Sequence, residues 1–283
     1  MTRACPICHS GVPVSFGFGI DQKESKSWHF CRCGAVSSPI APFETWEGYV
    51  EHLKTQNKHF AQRREYLRRI YLPLVEELTW GRKFLDVGYA VDDHITALED
   101  RGWVATGIDQ VTKGRLEGDF ETYEFKGKKY DFILLGGMLE CFKNPVLALQ
   151  RCHELLSPSG CLLMTTASVD IMWLSGHVHW GHWSHKRHSV YWSMRTLLEQ
   201  LQRVGLEIIL QRQNYSSHFL ARNDLHILAQ KPYTTAYTEG REGWGVEADH
   251  KEYLEAIKQE DAAKLNGHQP NLKLVKGGQD GPT

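Results

Sequence analysis

Apolar and polar residues follow two rhythms along the middle of this chain. Short, nearly continuous apolar runs occur at Lys83–Val87, Trp103–Ile108, Tyr130–Leu135 and Gly160–Thr166. Runs of this length, apolar at successive positions, predict strands buried on both faces. Between them, Asp93–Arg101 and Val146–Leu156 carry apolar residues at helical steps. Alternation of the two rhythms predicts an α/β fold with a parallel sheet covered by helices. A helix over Ser193–Val204 is followed by two more strand-like runs, Leu206–Gln211 and Leu225–Gln230. No helix separates those two, so they are expected to pair antiparallel. Upstream, residues 44–79 read as helical, because Phe60, Leu67, Ile70, Tyr71, Leu74 and Leu78 recur at helical steps and form one apolar face. Pro73 is expected to break or kink that segment near Leu72. Beyond Pro232 the chain turns polar. A surface helix is expected over 249–265, and the Gly-rich end from Lys276 to Thr283 reads as disordered.

These patterns divide the 283 residues into a small Cys-rich unit (1–40), a helical connector (41–80), the α/β domain (81–232) and a polar extension (233–283). The formal net charge is −1, which gives no global electrostatic case for nucleic acid. No run approaches the roughly 18 apolar residues of a membrane span. The start of the chain lacks the apolar stretch of an export signal, so a cytoplasmic protein is expected.

Chemistry enters with the cysteines. Four of the seven form two close pairs, Cys5-Pro6-Ile7-Cys8 and Cys31-Arg32-Cys33-Gly34, with 22 residues between them. Two short loops that each aim two thiolates inward suit tetrahedral Zn²⁺, and Cys5, Cys8, Cys31 and Cys33 are the expected ligands. A unit of this size needs such a staple to fold. Unligated thiols or a redox pair remain open, as does replacement of one ligand by His9 or His29.

The second chemical signal is the end of the first apolar run, Phe84-Leu85-Asp86-Val87-Gly88-Tyr89-Ala90-Val91-Asp92. An acid and a glycine close a strand, and Asp109 closes the next one about 20 residues later. In order follow Gly118-Asp119-Phe120, Tyr130-Asp131-Phe132-Ile133-Leu134-Leu135 and Leu156-Ser157-Pro158-Ser159-Gly160. In their order and spacing these segments resemble the class I S-adenosylmethionine-dependent methyltransferases, over roughly residues 80–232. The resemblance implies a Rossmann-like sheet of seven strands, parallel with one antiparallel strand. It implies S-adenosyl-L-methionine as cofactor, with Asp86, Gly88 and Tyr89 at the first turn beside its methionine part. Asp109 would take the ribose, Asp119 the adenine amino group, and Phe120 would pack on the ring. Gly136 and Met138, with Gly137 and Glu140, would flank the methyl donor. Ala90 and Asp92 depart from the glycines usual at the first turn. Asp92 disfavours a phosphate-bearing dinucleotide, whereas S-adenosylmethionine has no phosphate.

After the fifth strand, His and Trp crowd together from Trp173 to Trp192. In the resembling family this insert lines the acceptor pocket, and His182 and His188 are the candidates to take the acceptor proton. A second metal site, or plain packing, is the competing reading of the tract. A small-molecule or glycan acceptor is the leading expectation. RNA is the alternative, because Arg63, Arg64, Arg68 and Arg69 cluster on the connector. A degenerate methyltransferase fold that binds a protein partner through the polar extension is the third.

Overall fold

The computed structural model describes residues 5–10, 14–21, 24–37, 65, 67–89, 93–110, 115–174, 188–213, 224–232 and 271–273. Four of the predicted strands are present as β4 (Lys83–Val87), β5 (Val104–Asp109), β7 (Tyr130–Gly136) and β8 (Leu156–Ala167). A two-residue strand, β6 (Leu116–Glu117), extends the set and was not predicted. The antiparallel pair is present as β10 (Glu207–Gln213) and β11 (Asp224–Gln230). Strand order across the sheet is β10-β11-β8-β7-β4-β5-β6, with β12 (Asn271–Lys273) added beyond β10. Strands β4 to β8 run parallel, and β11 lies antiparallel between β8 and β10.

Alternate residues of each central strand feed two separate cores, as the pleat requires. Leu85, Val87, Ile133, Leu135, Leu162 and Met164 face one layer with α3 (Pro145–Leu155) and α5 (Met194–Arg203). Phe84, Phe132, Leu134 and Leu163 face the other, with α1 (Leu72–Leu78) and α2 (Asp93–Glu99). This is why the central strands read as unbroken apolar runs. Helix α3 starts where its sequence dictates: the Asn144 side chain accepts the Leu147 N–H at 3.1 Å, and Pro145 occupies the first turn. Ser193 caps α5 in the same way, accepting the Thr196 N–H at 3.1 Å.

The expected break near Leu72 takes a milder form. A π-helical turn, Leu67–Tyr71, passes directly into α1, and Pro73 falls in the first turn of α1, where no N–H is needed. The earlier part of the expected 44–79 helix, with Arg63 and Arg64, lies outside the described residues. So do the expected helix over 249–265, the end of the chain, Ala90, Asp92 and His182.

The Cys-rich segment contributes a second sheet. Strands β1 (Val14–Asp21), β2 (Glu24–Phe30) and β3 (Val36–Ser37) form an antiparallel meander. The free edge of β3 is taken by β9 (Val190–Tyr191), which directly precedes α5. Cys5, Ile7, Cys31 and Ala35 belong to the same apolar cluster as Trp192 and Leu197. Chain segments more than 150 positions apart therefore share a sheet and a core.

Phe132 is fully buried at the centre of the sheet, with its ring 5.1 Å from Phe84 and 6.0 Å from Trp103. Phe132→Ala is expected to cost about 3–5 kcal/mol, the range for a buried aromatic truncated in a close-packed core. A denaturant titration should show the midpoint fall accordingly.

Candidate active site

β4 pairs with β5 on one side and with β7 on the other, so the loops leaving these strands diverge and open a crevice at their carboxyl ends. Gly88 ends β4 there with φ +74°, and its N–H donates to the Ile108 carbonyl at 2.8 Å. The left-handed φ favours glycine here, and a Cβ at Gly88 would lie 2.3 Å from the Met138 sulfur, so the methionine side chain would have to shift. Asp109 ends β5, its carboxylate largely buried, and its carbonyl accepts the Gly118 N–H at 2.9 Å. That bond brings Asp119 and Phe120 to the same wall. The Asp119 carboxylate accepts the Glu121 N–H at 2.9 Å. Phe120 is buttressed by Phe142, 5.8 Å away, and by the Arg151 guanidinium, 5.8 Å above its ring.

The crevice thus gathers Gly88, Asp109, Asp119, Phe120 and Met138 from the expected set. It adds Gln110, Glu121, Cys141, Phe142 and Lys143, which sequence reasoning did not select. Two of these had a legible signal: Cys141 and Phe142 follow a strand that ends at the sheet's carboxyl edge. Glu121 had none, because its carboxylate reaches the site only by accepting the N–H groups of Lys143 at 3.0 Å and Asn144 at 2.6 Å. Three other expected residues are placed differently. Asp86 is buried within β4, where its carboxylate lies 3.0 Å from His94 Nδ1. The Tyr89 ring packs in the core against Gly107. Gly136 ends β7 without lining the crevice.

A second polar cluster lies behind the turn that follows β7. Met138 and Cys141 of that turn face the crevice, while Glu140 between them is buried on the other side. The Glu140 carboxylate accepts from the Thr166 hydroxyl at 2.8 Å and from the Ala167 N–H at 3.4 Å. His188 Nε2 lies 3.9 Å from the same carboxylate. Ser189 anchors the backbone, its N–H donating to the Glu140 carbonyl at 2.8 Å. Tyr191 packs edge-on against His188 at 5.5 Å, and burial, reinforced by the Glu140 charge, raises its phenol well above the usual tyrosine range. The tyrosine therefore stays protonated beside Glu140 and His188. His182 lies outside the described residues.

At the other end of β9 the four paired cysteines converge. Their sulfur atoms all lie within 4.8 Å of one another, with Cys5 and Cys33 at 3.8 Å and Cys8 and Cys31 at 3.3 Å. A tetrahedron of metal–sulfur bonds of about 2.3 Å has edges of about 3.8 Å, so the donor set and its size fit a metal ion. No disulfide joins them. Cys5 and Cys33 share one proton across their 3.8 Å contact, and that hydrogen bond lowers the Cys5 thiol and raises Cys33. A cation entering the cluster displaces that proton.

The sheet order, the glycine-closed crevice and the acid at the end of β5 define a class I methyltransferase fold. Residues 59–211, more than half of the chain, match the family model described as a methyltransferase domain, and the chain belongs to that family. No curated protein matches the sequence. Among solved structures, a chain from a complex containing the Haloferax volcanii Trm112 methyltransferase activator aligns at TM-score 0.50 and 16% identity, covering 67% of this chain and 95% of that one. A SAM-dependent methyltransferase from Thermotoga maritima aligns at TM-score 0.50 and 14% identity, covering 66% of this chain and 100% of the other. One from Archaeoglobus fulgidus aligns at TM-score 0.50 and 14% identity, covering 64% and 99%. At these identities the likeness is one of fold.

Gly88→Ala forces a side chain into a left-handed backbone conformation and onto Met138. The variant is expected to lose about 1–2 kcal/mol from the backbone term alone, and more from the contact with Met138. Equilibrium urea unfolding beside the parent protein measures the loss.

Proposed function

We propose that this protein transfers a methyl group from S-adenosyl-L-methionine to a small-molecule or glycan acceptor. The observation that carries the reading is the crevice itself. Among the described residues it presents Asp109, Asp119 and Glu121 against one cation, Lys143, beside Phe120, Met138 and a bare glycine backbone. Such a wall repels a pyrophosphate and suits a cationic nucleoside without phosphate. Asp109 would accept from the ribose hydroxyls, Asp119 from the adenine amino group, and Phe120 would pack on the ring. Gly88 and Met138 would lie along the methionine part, with Asp86, Tyr89 and Gly136 supporting the turn from beneath. When bound, the cofactor supplies a methyl group on a sulfonium.

What remains for the chain is to hold an acceptor in line, keep water out and remove a proton. The His–Trp insert would roof the acceptor. His188 is the described histidine suited to take the acceptor proton, and Glu140 is placed to orient its ring and stabilise its charged form. His182 is the second candidate base. Zinc on Cys5, Cys8, Cys31 and Cys33 would be structural, because four thiolates leave no open coordination position. A small acceptor is favoured over RNA because the formal net charge of −1 gives no global electrostatic attraction to phosphates, and Glu65 offsets part of the charge of Arg68 and Arg69, at 3.7 Å from Arg68.

Calorimetry with S-adenosylmethionine tests the reading directly. Asp109→Ala is expected to weaken binding by roughly tenfold or more, the loss of a hydrogen bond to a charged group at about 1.5–3 kcal/mol. Unchanged affinity in a folded variant would refute the assignment. Once an acceptor is found, His188→Ala should lower turnover by about 10²–10⁴, and the deficit should shrink as pH rises and the acceptor ionises unaided. A deficit independent of pH would rule out the base.

A further inference from the structure

The cysteine cluster and the Glu140–His188 pair are joined by one continuous set of bonds. The knuckle loop closes with the Gly34 N–H donating to the Cys31 carbonyl at 3.0 Å and the Cys31 N–H donating to the Ala35 carbonyl at 2.9 Å. It leads at once into β3, whose partner is β9, with Val36 opposite Tyr191 and Ser37 opposite Val190. A second link bypasses the strand. The Thr196 hydroxyl donates to the Cys33 carbonyl, and the Ser193 hydroxyl, 2.7 Å from Thr196 Oγ1, donates to it in turn. Gly34 has φ +94°, and a Cβ there would lie 2.8 Å from the Ser193 oxygen. The knuckle therefore grips both β9 and the capped start of α5. Immediately before β9 lie His188 and Ser189, and Ser189 is bonded to the carbonyls of Glu140 and of the crevice residue Phe142.

We infer that the metal-loaded knuckle is the positioning element of the acceptor side. It holds β9 and the start of α5, and through Ser189 it sets His188 against Glu140. This rests on the zinc and His188 assignments proposed above and goes beyond them, because it makes Thr196 and Gly34 positioning residues for a site neither of them touches. The physical reason is size. Strand β3 is two residues long, and each of its pairings, with β2 and with β9, spans only two residues, too little to be stable alone. With ligation, metal-binding free energy becomes the folding free energy of the loop that carries β3. Without it, the loop keeps four mutually close thiols and loses its closure. The crevice should be spared, because its walls hang from β4, β5 and β7, which pair only with one another and with β6 and β8.

The test uses the full chain, with metal analysis, calorimetry with S-adenosylmethionine and amide hydrogen exchange followed by mass spectrometry. The wild-type preparation should carry one zinc per chain. Chelation should raise exchange across 188–197 tenfold or more, while β4, β5 and β7 keep their protection and cofactor affinity stays within about twofold. Thr196→Val should retain zinc and cofactor affinity yet raise exchange over the same segment. Thr196→Ser, which restores the hydroxyl, should return it to wild type. A folded preparation without metal refutes the zinc assignment, and this inference with it. One zinc per chain, with exchange at 188–197 unmoved by chelation and by Thr196→Val, overturns the coupling and leaves the zinc and the methyltransferase reading intact.

Discussion

The parallel pairing of β4 with β5 on one edge and β7 on the other is the constraint from which the site follows. A right-handed crossover to each side sends the next helix over a different face of the sheet, so the two departing loops must part. The gap they leave is the crevice. Its floor is Gly88, whose backbone is pinned to Ile108 across the gap and whose missing side chain lets Met138 close in from the opposite loop. Every other wall residue is carried on segments attached to those three strands. Buried apolar residues on both faces of β7 keep that pairing rigid.

The turn after β7 has two sides with different work. Met138, Cys141 and Phe142 belong to the crevice, while Glu140 turns inward to Thr166, Ala167 and His188. A largely buried carboxylate is tolerated there because hydroxyl and amide donors compensate its desolvation. Its position one residue from the crevice-lining Cys141 makes this turn the structural boundary between the proposed cofactor and acceptor sides. β9 meets the inward side of the turn through Ser189, whose hydroxyl and amide are anchored to the Glu140 and Phe142 carbonyls.

Electrostatics sorts ligands before shape does. The crevice gathers carboxylates and aromatic faces with one lysine, and no basic cradle of the kind that binds phosphate lines it among the described residues. Among the described helices none is long and apolar enough to cross a membrane.

Much of this was legible along the chain. β4 ends where its apolar run ends, α3 begins at an asparagine cap followed by proline, and the two cysteine pairs announce a four-cysteine cluster by spacing alone. Asp109, Asp119, Phe120 and Met138 all line the crevice, because parallel strands expose their carboxyl ends in a fixed order. Local patterns determine such features, since propensity, capping and pleat alternation act over a few residues. The contacts that join distant segments were not legible. Nothing near Val36 indicates that it pairs with Tyr191, nor near Asp86 that His94 will face it, nor near Tyr89 that its ring will fill the space over Gly107. The seat of Glu140 against His188 likewise depends on how the chain returns after β8. These were decided by tertiary packing, because a two-residue strand or a single buried carboxylate has no periodicity to read and acquires its partner only when the sheet brings remote segments together.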